Sequence, residues 1–371
     1  MKLTIRTADL NRALYRVQGV ADKKSTMPIL AHVLLEASTD KGLTVSATDL
    51  DVGISGTYPA EVSIGGAVAV HARQLFEVVK ALNSEKLTLE RKENYWLEVQ
   101  SGSSRFKLVG MAPDEFPALP AANQMKTFQI PAAQLGEMID RTIFCVSTDD
   151  NRHNLSGVYC VSDKDTKLRM VATDGHRLAM AEGQLPSKVG LEKGVIVPRK
   201  GFQELRRVIG DSSEPIKDVE LGFSQNSGLL KAGPVTLTTR LVEGQFPDYE
   251  QVIPSEANKI AKLPRLGFDE ALRRVSLLSQ GRGYGVRLVF SSGSLELIAE
   301  DPEYGEARES LPIEYDGQNL SIGFNARYIR DVLALIHSDS ISFELTDDLS
   351  PAIVKPVGTA DFLAVVMPMR I

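Results

Sequence analysis

The run Thr173-Asp174-Gly175-His176-Arg177 holds the side chains of this 371-residue chain that are best suited to chemistry. A carboxylate and an imidazole this close together could act as a general acid–base pair. Such a pair needs a nucleophile to activate, and no Ser or Cys lies in a nucleophile-elbow motif. The sequence therefore favours a role other than catalysis for this run.

Metal and nucleotide chemistry are also poorly supported. The histidines lack paired ligand spacing, there is no P-loop, and no GxGxxG opens a helix. We therefore predict no metal ligands, no catalytic residues and no cofactor. The five histidines are His32, His71, His153, His176 and His337. The two cysteines, Cys145 and Cys160, lack CxxC spacing, which favours a reducing cytosol and a core-filling role.

The elements that position this run belong to an internal repeat. The segment LRMVATDGHRLAM begins at Leu168, and its first half recurs in LTVSATDLDVGIS from Leu43 and in LELIAEDPEYGEA from Leu295. The Asp of each copy, spaced by 125 and then 127 residues, falls at Asp49, Asp174 and Asp301. A period of this length predicts three copies of one domain.

Each third repeats the same order of elements. A short strand precedes an amphipathic helix near Thr7, Pro131 and Pro264, with Thr7-Ala8-Asp9 expected to cap the first. A second helix opens at Ala72, Arg199 and Ala326, at an interval of 127 residues. Strand-like runs fill the remainder, so we expect an α+β fold with two helices among many strands in each copy.

Proline-bounded connectors separate the copies. FPALP begins at Phe116 and FPDYEQVIP begins at Phe246, and each leads into the next copy's first strand. The predicted domains are residues 1–123, 124–256 and 257–371. Neither a secretory leader nor a membrane-spanning run is apparent, so we expect neither secretion nor insertion into a membrane.

Charge is unevenly distributed. The chain carries a formal charge of −6, whereas the six predicted helices together carry +6, which leaves −12 on the strands and loops. Exposed helix faces carry Lys and Arg in many proteins, so the counts alone decide little. Equivalent helices repeated three times could nevertheless line one basic surface that holds phosphates without reading sequence.

The end of the chain, VVMPMRI from Val365 to Ile371, places two methionines around Pro368. We expect Val365 and Val366 to complete a sheet and the Met-Pro-Met-Arg end to lie at its margin. Methionine suits a surface that accepts several partners, because its side chain is flexible and polarisable.

Taken together, the repeat, ATDGHRL, FPDY and MPMR resemble the bacterial sliding clamp family, the beta subunit of the replicative DNA polymerase. The resemblance covers the chain from Met1 to Ile371 and extends to TMPIL, SRF, VPRKG and GVRL. It implies a head-to-tail homodimer closed into a ring of six similar domains, with helices around double-stranded DNA. It also implies a cytoplasmic, nucleoid-associated processivity factor that is not an enzyme.

The resemblance further implies a groove that binds short peptides from the polymerase alpha subunit, the clamp loader and repair polymerases. Its residues would be Leu155, Thr173, Gly175, His176, Arg177, Leu178, Pro247, Val252, Val365, Met367, Pro368, Met369 and Arg370. The residues facing DNA would be Lys24, Arg73, Arg199, Lys200, Arg206 and Arg207. The dimer contacts would be Phe106, Leu277 and Leu278. Glu250 and Gln251 stand where family members often carry Arg, which makes the rim of the groove less basic.

Two other functions remain open on the sequence. One is an accessory clamp-like protein that binds the same peptides without loading on DNA. The other is an enzyme acting on DNA, which is disfavoured because no cluster of carboxylates repeats.

Overall fold

The computed structural model describes residues 1–21, 26–119, 125–164, 166–191, 193–211, 215–255, 257–279, 281 and 283–371. Two of the predicted domain boundaries, near residues 123 and 256, lie outside the described residues. Within the described part, the chain forms two compact units. The first holds residues 1–136, 187–191 and 197–241, and the second holds residues 137–186, 192–196 and 242–371.

The helices and strands of the described residues follow the predicted order. The helices are α1 Thr7–Val17, α2 Ala72–Lys80, α3 Ala132–Ile143, α4 Arg199–Ile209, α5 Arg265–Val275 and α6 Ala326–Leu333. The strands are β1 Lys2–Arg6, β2 His32–Ser38, β3 Gly42–Thr48, β4 Val52–Tyr58, β5 Glu61–Ile64, β6 Gly66–His71, β7 Lys86–Arg91, β8 Leu97–Ser101, β9 Ser104–Leu108, β10 Gly110–Met111, β11 Thr127–Pro131, β12 Gly157–Asp163, β13 Lys167–Thr173, β14 Arg177–Gln184, β15 Val195–Pro198, β16 Asp218–Phe223, β17 Ser227–Ala232, β18 Val235–Arg240, β19 Lys259–Pro264, β20 Gly285–Ser291, β21 Ser294–Asp301, β22 Gly305–Pro312, β23 Leu320–Asn325, β24 Ser340–Leu345, β25 Ala352–Pro356 and β26 Phe362–Val366.

The first unit contains two antiparallel sheets. One has the strand order β5-β1-β7-β8-β9, and the other has the order β10-β6-β2-β3-β4-β18-β17-β16-β11. The second sheet is continuous across a repeat boundary, because Val52–Gly56 of β4 pairs with Val235–Thr239 of β18. Main-chain hydrogen bonds therefore join strands from the first and second thirds of the chain.

The second unit is built in the same way. Its sheets have the strand orders β15-β12-β13-β14-β26-β25-β24-β19 and β22-β21-β20-β23. Here β14 of the middle third pairs with β26 of the last third, with Leu178 opposite Val365. The repeat is threefold in sequence and yet gives two compact units, because each long sheet crosses one of the repeat boundaries.

The first helix of each repeat begins in the same way, and this corrects the predicted cap. The residue before α1 is Arg6, which makes no side-chain capping bond, and Thr7 is already helical. The strand runs directly into the helix, and a main-chain carbonyl accepts the first helical N–H instead. These bonds are Thr7 to Glu85, Ala132 to Lys217 and Arg265 to Asp339, each 2.9 Å long.

The predicted apolar stripes are buried. On the first helices, Leu10, Leu14, Val17, Leu135, Met138, Ile139, Phe268, Leu272 and Val275 all lie in the core. On the second helices, Leu75, Phe202, Leu205, Ile329 and Val332 are buried, whereas Val78 is half-buried. Cys145 and Cys160 are buried free thiols, as predicted. Among the described residues, no helix combines the length and hydropathy needed to cross a membrane.

Candidate functional site

The turn between β13 and β14 is held by side chains at both of its ends. One carboxylate oxygen of Asp174 accepts the N–H groups of His176 at 2.9 Å and Arg177 at 3.0 Å. The Thr173 hydroxyl donates to the Arg177 carbonyl at 2.7 Å and accepts the Gly175 N–H at 3.1 Å. Gly175 has φ +87°, a conformation that side chains with a Cβ rarely adopt. The turn therefore has one defined shape.

The same aspartate turn occurs in all three repeats. In the other two copies, Asp49 accepts the N–H groups of Asp51 and Val52, and Asp301 accepts those of Glu303 and Tyr304. The recurring Asp is therefore a turn-forming residue, in which a short carboxylate replaces main-chain acceptors. This role accounts for its place in the repeat without any catalytic chemistry.

Arg177 is anchored on every side of its guanidinium. It donates to Asp174 at 3.0 Å, to Asp331 of α6 at 2.6 Å and to the Phe144 carbonyl at 3.0 Å. Its carbon lies 4.6 Å from the centre of the Tyr328 ring and 5.1 Å from that of Phe144. Burial opposes the charge, but the bonds to Asp331 and Asp174 outweigh it and raise the pKa of Arg177. The group is a charged anchor, and its side chain is only 12% exposed.

The pairing of β14 with β26 brings the end of the chain to this turn. Beyond β26, the N–H of Met367 donates to the His176 carbonyl at 2.9 Å. Met367, Pro368 and Met369 are half-buried, whereas Arg370 is exposed. The prediction that Val365 and Val366 lie in a sheet, with the methionines at its margin, is confirmed.

An apolar cluster lies beside these two strands. Its buried members are Leu155, Val171, Leu178, Ile196, Phe246, Tyr249 and Val365. The half-buried side chains packed against them are Tyr159, Met180, Val242, Val252, Ile253 and Leu363. Tyr159 stacks on Phe246 with ring centres 4.9 Å apart and an interplanar angle of 5°. We call this cluster, together with the turn and residues 367–370, the groove.

The polar side chains at the rim of the groove, Glu250 and Gln251, are paired within the chain. Arg169 of β13 donates to the Tyr249 hydroxyl at 3.0 Å and to Glu250 at 3.2 Å. Gln251 donates to Asp248 at 2.8 Å, and Pro247 beside it is exposed. The acidic and amide side chains that distinguish this rim thus have partners within the chain.

The predicted groove residues come from four separated stretches, and the apolar cluster of the second unit joins one residue of each, namely Leu155, Leu178, Val252 and Val365. Sequence reasoning omitted the aromatic floor formed by Tyr159, Phe246 and Tyr249, and also the partners of Arg177. The two aromatic residues of FPDY are the available signal, although the resemblance assigns only Pro247 and Val252 of this connector to the groove. Asp331 and Tyr328 carried no local signal, since they lie in α6, far along the chain.

The site has little capacity for acid–base or thiol chemistry. The Asp174 carboxylate already accepts hydrogen bonds from main-chain N–H groups of the turn and from the Arg177 side chain. The exposed His176 ring has its centre 6.2 Å from that of the Tyr328 ring. Burial raises the pKa of both Cys145 and Cys160, which keeps these thiols neutral. In the ranges that the structure describes, no three His, Cys, Asp or Glu side chains form a group that could hold a metal ion.

The predicted DNA-facing residues differ in their surroundings. Arg73 is exposed on α2, while Arg199 and Arg206 are half-buried on α4. Lys200 forms an ion pair with Asp49, and Arg207 forms one with the buried Glu204 at 2.7 Å. Lys24 lies outside the described residues. Part of the positive charge on α4 is therefore balanced within the first unit.

The predicted dimer contacts lie beside sheet edges. Phe106 is 37% exposed on β9, the outer strand of the five-stranded sheet. Leu277 is 58% exposed and Leu278 is half-buried in the short turn after α5. The four-stranded sheet of the same unit ends at β22.

Comparison with known proteins matches this geometry to one class, the bacterial replication clamps. The descriptions of the three matching family models are DNA polymerase III beta subunit, N-terminal domain at residues 1–120, central domain at 129–248 and C-terminal domain at 250–370. The beta sliding clamp of Pseudomonas aeruginosa is 38% identical over 376 residues, with all of both chains covered.

Solved structures show the same likeness. The DNA polymerase III subunit beta of Pseudomonas aeruginosa superposes with a TM-score of 0.92 at 35% identity, covering all of both chains. The sliding clamp of Bartonella birtlesii bound to griselimycin superposes with a TM-score of 0.94 at 34% identity, again over both full chains. The chain belongs to the DNA polymerase III beta subunit family, the beta sliding clamps. It consists of three tandem clamp domains and serves DNA replication as a sliding clamp with a peptide-binding site.

Proposed function

We propose that two copies of this chain close around double-stranded DNA and tether the replicative polymerase to it. The tether is the groove, which also receives the clamp loader and repair polymerases. The observation that carries this proposal is the convergence of Leu155, Leu178, Val252 and Val365 in one apolar cluster beside the turn at residues 173–178. An apolar cluster flanked by a few fixed polar groups suits a short apolar peptide.

The groove offers its ligand both apolar area and ordered polar groups. The half-buried Val252, Met367 and Met369 would contact apolar side chains of the peptide, backed by the buried cluster, while His176 and Arg370 are exposed. Since Glu250 and Gln251 weaken the positive charge of the rim, an acidic flank on the peptide would gain little here. The Bartonella birtlesii clamp binds griselimycin, and the groove would be the site for such a ligand in this chain.

Contact with DNA would be electrostatic and independent of sequence. The groups proposed to face DNA are Lys24, Arg73, Arg199, Lys200, Arg206 and Arg207. Lys and Arg that neutralise phosphates release counterions, so this contact weakens as salt rises. The protein would act as a non-catalytic subunit, and it would be found with the nucleoid in the cytoplasm.

The homodimer would close through β9 of one copy and β22 of the other. An outer strand leaves its main-chain N–H and C=O groups ready to pair with another chain. Phe106 beside the first edge, and Leu277 and Leu278 beside the second, would supply the apolar contact. Closed symmetry is the usual outcome for homo-oligomers of this kind.

A topological experiment tests the ring. The protein is loaded on nicked circular DNA by the cognate clamp loader, and retention is measured by gel filtration before and after a restriction enzyme linearises the circle. We expect persistence on the circle and rapid loss from the linear form. Equal retention on both substrates would contradict encirclement.

The accessory-clamp alternative keeps the peptide groove without loading on DNA, and the ion pairs of Lys200 and Arg207 favour it. Replacing residues 367–371 should abolish peptide binding under either proposal. Reversing the charges of Arg199, Lys200, Arg206 and Arg207 should reduce processive synthesis only if the chain encircles DNA. Unchanged product length on primed single-stranded circles would favour the accessory role.

A further inference from the structure

The last five residues, Met367–Ile371, form a strap that is held at two points by its main chain. The N–H of Met367 donates to the His176 carbonyl beside β14, and the N–H of Met369 donates to the Gly323 carbonyl of β23, both at 2.9 Å. Pro368 between them has no N–H to satisfy. The strap thus spans from the eight-stranded sheet to the outer strand of the four-stranded sheet.

The strap approaches β23 at a position where a side chain would not fit. A Cβ added at Gly323 would lie 2.5 Å from the Met369 carbonyl oxygen and 2.6 Å from Cδ1 of Ile371. The backbone of Gly323 is not in the left-handed region, so an alanine could adopt its conformation. The strap's close approach, and not the turn or strand geometry, therefore requires glycine here.

A second glycine, Gly285, also lies against the strap. A Cβ at Gly285 of the neighbouring β20 would lie 3.4 Å from Cδ1 of Ile371 and 3.5 Å from Cε of Met369. These are ordinary packing distances. Gly323 is consequently the tighter of the two contacts, and it is the one that touches the strap's main chain.

We infer that Gly323 is a positioning residue of the peptide groove, although it belongs to a strand outside the groove's apolar cluster. It allows the strap to dock, and the docked strap fixes the main chain of Met367 and Met369. The inference rests on the proposed peptide-binding function. Methionine has three rotatable bonds, so a fixed main chain reduces the ordering that a ligand must otherwise impose.

The ligand concerned is a short peptide with apolar side chains, the class already proposed for the groove. An alanine at position 323 must displace the Met369 carbonyl and so break the Met369–Gly323 hydrogen bond. Peptide affinity then falls without the loss of any atom that touches the peptide. Contacts to DNA and between subunits involve other residues and should not change.

The test compares Gly323→Ala with Gly267→Ala, a control on α5 where the added Cβ would make only ordinary contacts of 3.7 Å or more. The probe is a fluorescein-labelled synthetic peptide that copies the clamp-binding segment of the cognate polymerase alpha subunit. Fluorescence polarisation gives its Kd, and hydrogen exchange monitored by NMR reports the Met369 amide. We expect about tenfold weaker binding and faster exchange for Gly323→Ala, and wild-type values for Gly267→Ala.

A second variant keeps the test valid if Gly323→Ala does not fold. Deletion of Ile371 removes the strap's apolar contact with Gly323 while leaving β23 intact, and it should also speed exchange and weaken binding. Faster exchange with an unchanged Kd in either variant would overturn the inference and leave the proposed function standing. If the wild-type protein fails to bind the peptide, the proposed function itself is wrong.

Discussion

At the scale of single residues, one aspartate position forms the same turn in all three repeats. Asp49, Asp174 and Asp301 each accept two main-chain N–H groups with the same oxygen. Their recurrence follows from a turn that each copy needs. Only in the middle copy do His176 and Arg177 follow the turn, and it is there that we propose the partner site.

The turn can be tested at Asp301. Asp301→Ala removes both acceptor bonds, and we expect the free energy of unfolding to fall by about 1–2 kcal/mol. Asp301→Asn keeps an oxygen acceptor and should lose less than half of that. Urea denaturation followed by circular dichroism measures both variants. Equal losses for Ala and Asn would show that charge, and not the accepted hydrogen bonds, is what matters.

Arg177 is the second residue-scale feature, since one planar group connects the turn, α6 and Phe144, the residue after α3. Arg177→Lys keeps the charge but cannot reach Asp174, Asp331 and the Phe144 carbonyl together. We expect a loss of about 2–3 kcal/mol in unfolding free energy, together with weaker peptide binding, measured by urea denaturation and fluorescence polarisation.

The control for this change is Arg308→Lys on β22, where the side chain is 52% exposed. Exposed ion pairs contribute little, so this variant should stay within about 0.5 kcal/mol of the wild type. Identical denaturation midpoints for the two lysine variants would show that the contacts of Arg177 contribute nothing measurable to the free energy of unfolding.

At the scale of elements, α4 combines a buried acid with basic neighbours. Glu204 is only 4% exposed, and burial raises the pKa of its carboxyl group even though Arg207 and Lys200 act to lower it. The folded state therefore binds the Glu204 proton more tightly than the unfolded state does. The stability that this proton contributes is present below the unfolded pKa and is lost as pH rises through the folded one.

Glu204→Gln does not titrate and isolates this contribution. The difference in unfolding free energy between wild type and variant should fall as pH rises through the carboxyl range, from about 4 upward. Urea titrations at several pH values measure it. A difference that grows with pH would mean that the ion pair with Arg207 dominates over burial.

At the scale of the whole molecule, the proposed ring depends on two exposed edges. Phe106→Asp together with Leu277→Asp places charge where the dimer would bury apolar side chains. We expect sedimentation equilibrium to show a dimer for the wild type and a monomer for the double variant, because an unpaired buried charge costs several kcal/mol.

Leu349→Asp is the matched control, because Leu349 is a 71% exposed leucine between β24 and β25 and belongs to neither edge strand. It should remain dimeric. A wild-type protein that is monomeric at micromolar concentration would contradict closure, and a dimeric double variant would show that the interface lies elsewhere.

The sequence by itself determined the threefold repeat, the positions of the helices and the stripes that they bury, such as Leu10, Leu14 and Val17. These features depend on hydrogen bonds and side-chain periods within a few residues of chain, so a linear pattern records them. Through family resemblance, the sequence also pointed to the groove residues, although their roles remain predictions.

Tertiary structure alone decided which distant groups meet. It paired Arg177 with Asp331, 154 positions away, and Lys200 with Asp49, 151 positions away. It also joined β4 to β18 and β14 to β26, turning three repeats into two compact units. The physical reason is that these strand pairs and ion pairs join residues that become neighbours only when the chain folds. The spacing of residues along the sequence does not record which distant segments will meet.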